Sequence, residues 1–199
     1  MQELTFKILL LAEPGGIGKT CFSTRYTENK FYSDKHIFTI GIDFKTKIIN
    51  LENDKSVKLG IWEVPYQDRF SSSLKKEIIK NSHGIILLYD ITDLESFKKL
   101  NDNSWIDDIK ENASKKTVVY LVGNKIDKEE ERKVKKQDGE ELAKELGFHF
   151  AEASALTGYN VKEIFEDLAE KIYNIYNMDK VIQKEIDKKV PQLKKYIDF

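Results

Sequence analysis

An apolar run, Leu4 to Ala12, gives way to Glu13-Pro14-Gly15-Gly16-Ile17-Gly18-Lys19-Thr20, after which a helical pattern begins. No other stretch constrains the fold as strongly, because a glycine-rich turn of this kind has to join a buried strand to a helix N-terminus. Glycines let the backbone curl until successive N–H groups point inward, and the helix dipole adds positive potential. In such a loop Lys19 reaches the β/γ-phosphates and the Thr20 hydroxyl can ligate Mg²⁺. One position departs from the pattern. Six residues before Lys19 the motif asks for glycine, and Glu13 stands there.

Strand and helix signals alternate along most of the chain, the pattern of an α/β domain with a mostly parallel sheet and helices on both faces. Strands are expected at Leu4–Ala12, Ile42–Leu51, Ser56–Trp62, Gly84–Tyr89, Thr117–Val122 and Phe148–Ala151. The Asn53-Asp54 turn signal makes the second and third an antiparallel hairpin. Helices are expected over Lys19–Asn29, Arg69–Ser82, Leu94–Ala113 and Gln137–Leu146, with a fifth from Val161 and a solvated charged loop at Lys128–Lys136. Residues 1–177 then form one nucleotide-binding domain. Residues 178–199 keep a helical apolar spacing on a charged background and read as a helical extension or linker that Pro191 ends or kinks.

At 199 residues the chain supports one full core. Basic residues number 33 against 34 acidic ones, so no global field favours nucleic acid or an anionic membrane. The single cysteine, Cys21, excludes an intramolecular disulfide and fits a reducing compartment. No signal-peptide pattern, membrane-spanning run or C-terminal prenylation cysteine is visible. The expected setting is cytoplasmic, with no direct lipid anchor in this chain. Any association with endomembranes would go through partners or residues beyond it.

A phosphate loop alone leaves kinases, ATPases and GTPases open. Asn124-Lys125-Ile126-Asp127 follows a buried strand and so sits at the carboxyl edge of a parallel sheet, where ligands bind. A carboxylate there accepts from the N1–H and exocyclic amine of guanine, whereas adenine would leave it unpaired. The Lys125 stem can lie over the base, and Asn124 can tie neighbouring loops. Ser154-Ala155-Leu156 adds a loop whose backbone N–H can donate to the guanine carbonyl. A P-loop kinase stays as the outside alternative, since no acceptor site or lid is evident.

In the order and spacing of these motifs, from about Leu4 to Asn177, the chain resembles a Ras-superfamily small GTPase and most closely the Rab branch. That implies the P-loop NTPase (small GTPase) fold, with three layers, a six-stranded mostly parallel sheet and five helices. The branch is suggested by Ile40-Gly41-Ile42-Asp43-Phe44, by Leu88-Tyr89-Asp90-Ile91-Thr92 and by Arg69-Phe70-Ser71-Ser72. The resemblance implies GTP/GDP and Mg²⁺ as ligands. It makes Gly15, Gly16, Ile17, Gly18, Lys19, Thr20 and Cys21 the phosphate loop, with Phe31 on the base edge and Thr39 on Mg²⁺ and γ-phosphate. Asn124, Lys125, Asp127, Ser154, Ala155 and Leu156 become the base site. Gln67 becomes the residue that orients water, with Lys19 stabilising phosphate charge. Effectors, exchange factors and GTPase-activating proteins would bind the two switches, in vesicle traffic.

The second switch departs from the family pattern. Trp62-Glu63-Val64-Pro65-Tyr66-Gln67 carries Glu63 where the family has the aspartate of the Mg²⁺ shell, and Tyr66 where it has the glycine that meets the γ-phosphate. With Glu13, three departures fall on the phosphate and metal side (Thr20, Thr39 and Glu63 being the expected metal residues), and almost none on the guanine side. Two readings follow: a switch with slow hydrolysis, or a pseudo-GTPase acting as an interaction module.

Overall fold

The computed structural model describes residues 4–32, 42–51, 55–64, 72–100 and 105–194, with side chains to Met178. Six strands form one sheet: β1 (Leu4–Ala12), β2 (Asp43–Leu51), β3 (Lys55–Glu63), β4 (Gly84–Asp90), β5 (Val118–Asn124) and β6 (His149–Glu152). Their order is β2-β3-β1-β4-β5-β6, parallel throughout except for the β2–β3 hairpin. The expected α/β architecture is what the chain adopts. Its Asn53-Asp54 turn lies outside the described residues.

Alternation along β1 feeds two cores. Phe6, Ile8, Leu10 and Ala12 pack on one face with α1 (Lys19–Glu28) and the long last helix, while Leu9 and Leu11 pack on the other. That second face is covered by α2 (Ser72–Lys80), α3 (Leu94–Lys98), α4 (Trp105–Asn112) and α5 (Lys136–Leu146). Every residue of β4 and β5 is buried, as strands covered on both faces must be.

Three expectations need correction. The single helix expected over Leu94–Ala113 is two, since α3 gives way to a turn at Lys99–Leu100 before α4 begins. Asn101, Asp102, Asn103 and Ser104 follow directly, and such side chains compete for backbone hydrogen bonds in a helix interior. A 3₁₀ turn, Ile126–Glu131, takes in the first part of the charged loop expected at Lys128–Lys136. Lastly, α6 runs from Val161 to Lys194, so the anticipated extension continues the last helix of the domain and passes Pro191. A proline there removes one ladder bond close to the helix end. No helix among the described residues is long and apolar enough to cross a membrane.

Candidate functional site

The carboxyl ends of the strands converge. Strand β1 delivers Glu13, β3 ends on Glu63, β4 on Asp90, β5 on Asn124, and β6 leads to Ser154, so the pairing Asp90 to Asn124 and Leu10 to Glu63 sets their heights on one rim. Between β1 and α1 the loop takes the curl that its sequence demands: Gly15, Gly16 and Gly18 have φ of 136°, 73° and 97°. These are left-handed values that side chains disfavour. Gly18 is also a point of close approach, because a Cβ there would stand 2.9 Å from the Asn124 amide nitrogen.

That amide wires the two motifs together. Asn124 Nδ2 donates to the Ile17 carbonyl at 2.8 Å, and its Oδ1 accepts from the Ala155 N–H at 3.1 Å. Ala155 thus spends its N–H on the loop tie that Asn124 was expected to make. The Ser154 hydroxyl donates to Asp127 Oδ1, fixing a carboxylate that otherwise faces solvent. Lys125 sits in the left-handed region at φ 71°, and its ammonium pairs with Asp90 Oδ2 at 2.6 Å. Asp90 is 4% exposed and takes two further bonds at 2.8 Å from Thr92, so it is a rigid anchor for Lys125. Leu156 is exposed, Phe31 is half-buried against the α1–α6 core, and so is Cys21.

Two residues at this end carry no motif signal. Arg25 on α1 donates through Nε to the Ala155 carbonyl at 3.0 Å and through Nη2 to the Leu156 carbonyl at 2.6 Å, clamping the loop. Arg132 pairs with Glu129 and Glu152, which raise its pKa, and so ties the 3₁₀ turn that contains Asp127 to β6. The helical repeat would place Arg25 on the rim side of α1, but no spacing rule names its partner.

The phosphate end is charged and buried. Glu63, wholly enclosed, accepts from the Thr20 hydroxyl at 2.7 Å through Oε2; its Oε1 takes the Ser23 hydroxyl and the Lys45 ammonium. Lys45 also reaches Ser23 Oγ at 2.8 Å and Asp43 at 3.2 Å. Burial alone would lower the Lys45 pKa, but hydrogen bonds and charge from Glu63, then Asp43, outweigh it and raise it. Lys19 is different. Desolvation lowers its pKa, against the opposing pull of Glu63 and Glu13.

Glu13 is 5% exposed and turns from the cradle toward α4, whose first backbone N–H, at Trp105, donates to it. An acid at a helix N-terminus also meets the positive end of the dipole. Its Oε1 has no hydrogen-bond partner, and burial raises its pKa despite Trp105, Lys75, Lys99 and Lys19. Thr39, Tyr66 and Gln67 lie outside the described residues.

Mg²⁺ wants hard oxygen donors and keeps several waters. The adjoining Thr20 hydroxyl and Glu63 carboxylate are such donors, so this pair fits the ion. The Lys45 ammonium on the same carboxylate sets a competing positive charge beside it.

The Ras family model matches residues 7–174. Mouse Ras-related protein Rab-26 is 40% identical over 170 residues, which is 85% of this chain and 64% of that protein. Human Ras-related protein Rab-15 is 37% identical over 177 residues, covering 89% of this chain and 81% of that protein. The match therefore spans just under two thirds of the Rab-26 relative. Family model, relatives and rim geometry agree: the chain belongs to the Ras family, as a Rab-like small GTPase.

Proposed function

We propose that this protein is a guanine-nucleotide-binding switch of the Rab type with slow intrinsic GTP hydrolysis. One observation carries the reading: Asp127 is held by Ser154 while Asn124 bridges the phosphate loop and the base loop. A carboxylate fixed this way accepts two donors from guanine, and adenine would leave it unpaired. Lys19 faces the phosphates and stabilises charge that develops there. Thr20 and Glu63 would hold Mg²⁺, which would supply charge neutralisation to the phosphates, with Thr39 as the further residue that the family implies.

Slow turnover follows from Glu63 and Tyr66 together, since Glu13 is turned toward α4. Gln67 remains to orient water, but the residues suggest no arginine finger in cis, a contribution worth about 10³–10⁵ in rate when a partner provides it. Regulatory and effector proteins would read the switches, and the setting would be vesicle traffic at endomembranes. The full engagement of Glu63 by Thr20, Ser23 and Lys45 favours a second reading, a pseudo-GTPase that binds nucleotide and presents its switch surface without useful turnover.

Affinities for GDP, GTP and ATP, with single-turnover hydrolysis of bound GTP, test both. Guanine affinity far above that for ATP with slow but measurable hydrolysis is expected. Equal affinity for ATP sinks the guanine assignment, and hydrolysis absent even in Tyr66→Gly favours the pseudo-GTPase.

A further inference from the structure

We propose that Lys45 is a built-in counter-cation for Glu63 that competes with Mg²⁺, so that the protein retains guanine nucleotide with little dependence on the metal. This rests on the guanine-nucleotide reading above and adds a residue which that reading does not use.

The contact is written into the sheet. In the β2–β3 register Lys45 stands opposite Ile61 and Asp43 opposite Glu63, so Lys45 and Glu63 are diagonal neighbours on one face. Diagonal pairs lie within reach of long side chains. Glutamate's extra methylene then lets one carboxylate meet Thr20 from one oxygen while Ser23 and Lys45 meet the other. A wholly buried carboxylate needs a counter-charge, and here the protein supplies it from its own chain, as the Lys45 ammonium. The Lys45 side chain is only 17% exposed, so it has little solvent to retreat into.

A divalent ion beside Thr20 and Glu63 would join Lys45 and, within electrostatic reach of Glu63, Lys19. Part of the carboxylate's attraction is already spent on the ammonium. The metal therefore gains less here than at a carboxylate free of cations, and the nucleotide loses less when the metal is removed.

The test loads the full chain with a fluorescent GDP and compares its dissociation in excess Mg²⁺ and in excess EDTA. The wild-type rates should differ by less than about tenfold, whereas Lys45→Met should raise that ratio at least about tenfold, one charge at contact distance being worth a decade or more. Lys45→Arg should keep the wild-type ratio. Glu63→Asp, too short to hold all three partners, should raise it. A Mg²⁺ titration of the GDP-loaded proteins should rank their metal affinities in the same order, which a purely structural lysine would not alter. A wild-type ratio above about tenfold overturns the inference. So does an unchanged ratio in Lys45→Met or, should that variant not fold, in Glu63→Asp. Failure to take up GDP at all overturns the guanine reading and this inference with it, whereas tight GDP binding with strong metal dependence overturns this inference alone.

Discussion

The two ends of the cradle are built from different bonds. At the base end, Asn124, Ser154, Ala155 and Arg25 tie three loops with hydrogen bonds between side chains and backbone or hydroxyl, and the ion pair of Lys125 with Asp90 anchors a motif residue. At the phosphate end, Glu63, Lys45 and Thr20 form a charged knot and Glu13 lies buried against α4. The first end is preorganised, since its donors and acceptors already hold the loops where a base would enter. The second has neutralised itself. A ligand or ion arriving there competes with contacts the chain has already made.

The largest effect that could break this comparison is at Asp127. Replacing it with asparagine turns one of the two acceptors that guanine needs into a donor, so guanine affinity should fall by about 10³-fold or more and xanthine should become the preferred base. Competitive binding of GDP and xanthosine diphosphate measures it. Unchanged guanine preference would show that the base end does not read the base through this carboxylate.

A smaller effect sharpens the picture. Arg25→Ala leaves the carbonyls of Ala155 and Leu156 without their clamp. Charge-assisted bonds are stronger than neutral ones, so GDP affinity should fall about tenfold through faster release, with ATP still excluded. A loss of base selectivity instead would mean that Arg25 shapes the pocket rather than merely holding its loop.

Much of the base end was legible because its residues come in contiguous motifs, and Leu4–Ala12 was bounded as observed because apolar runs between turn signals define buried strands. The phosphate end was not, for reasons of long-range geometry. Lys45 lies in a strand where alternation marks a lysine as solvent-facing, and only the hairpin register carries it to Glu63, 18 residues away. Glu13 reads as a charge aimed at phosphate. Its actual partner is a helix N-terminus 92 residues on, whose position depends on where the expected single helix divides.

Glu13 also gives the smallest effect, and its sign can be worked out. Burial raises its pKa above the ordinary 4.5, so the folded chain holds that proton more tightly than the unfolded one. The stability it contributes is therefore complete below the unfolded pKa and is lost as pH rises through the folded value. Once ionised, the carboxylate is a buried charge with one oxygen unpartnered. Glu13→Gln removes that charge and keeps an acceptor for the Trp105 N–H, so the variant should melt a few degrees higher at neutral pH. The gain should shrink steadily as the pH is lowered toward 4.5 and below. Thermal melts across that range measure it. A gain independent of pH would place the cost of Glu13 in packing rather than charge, and a loss at neutral pH would mean that Lys75, Lys99 and Lys19 already compensate the carboxylate in full.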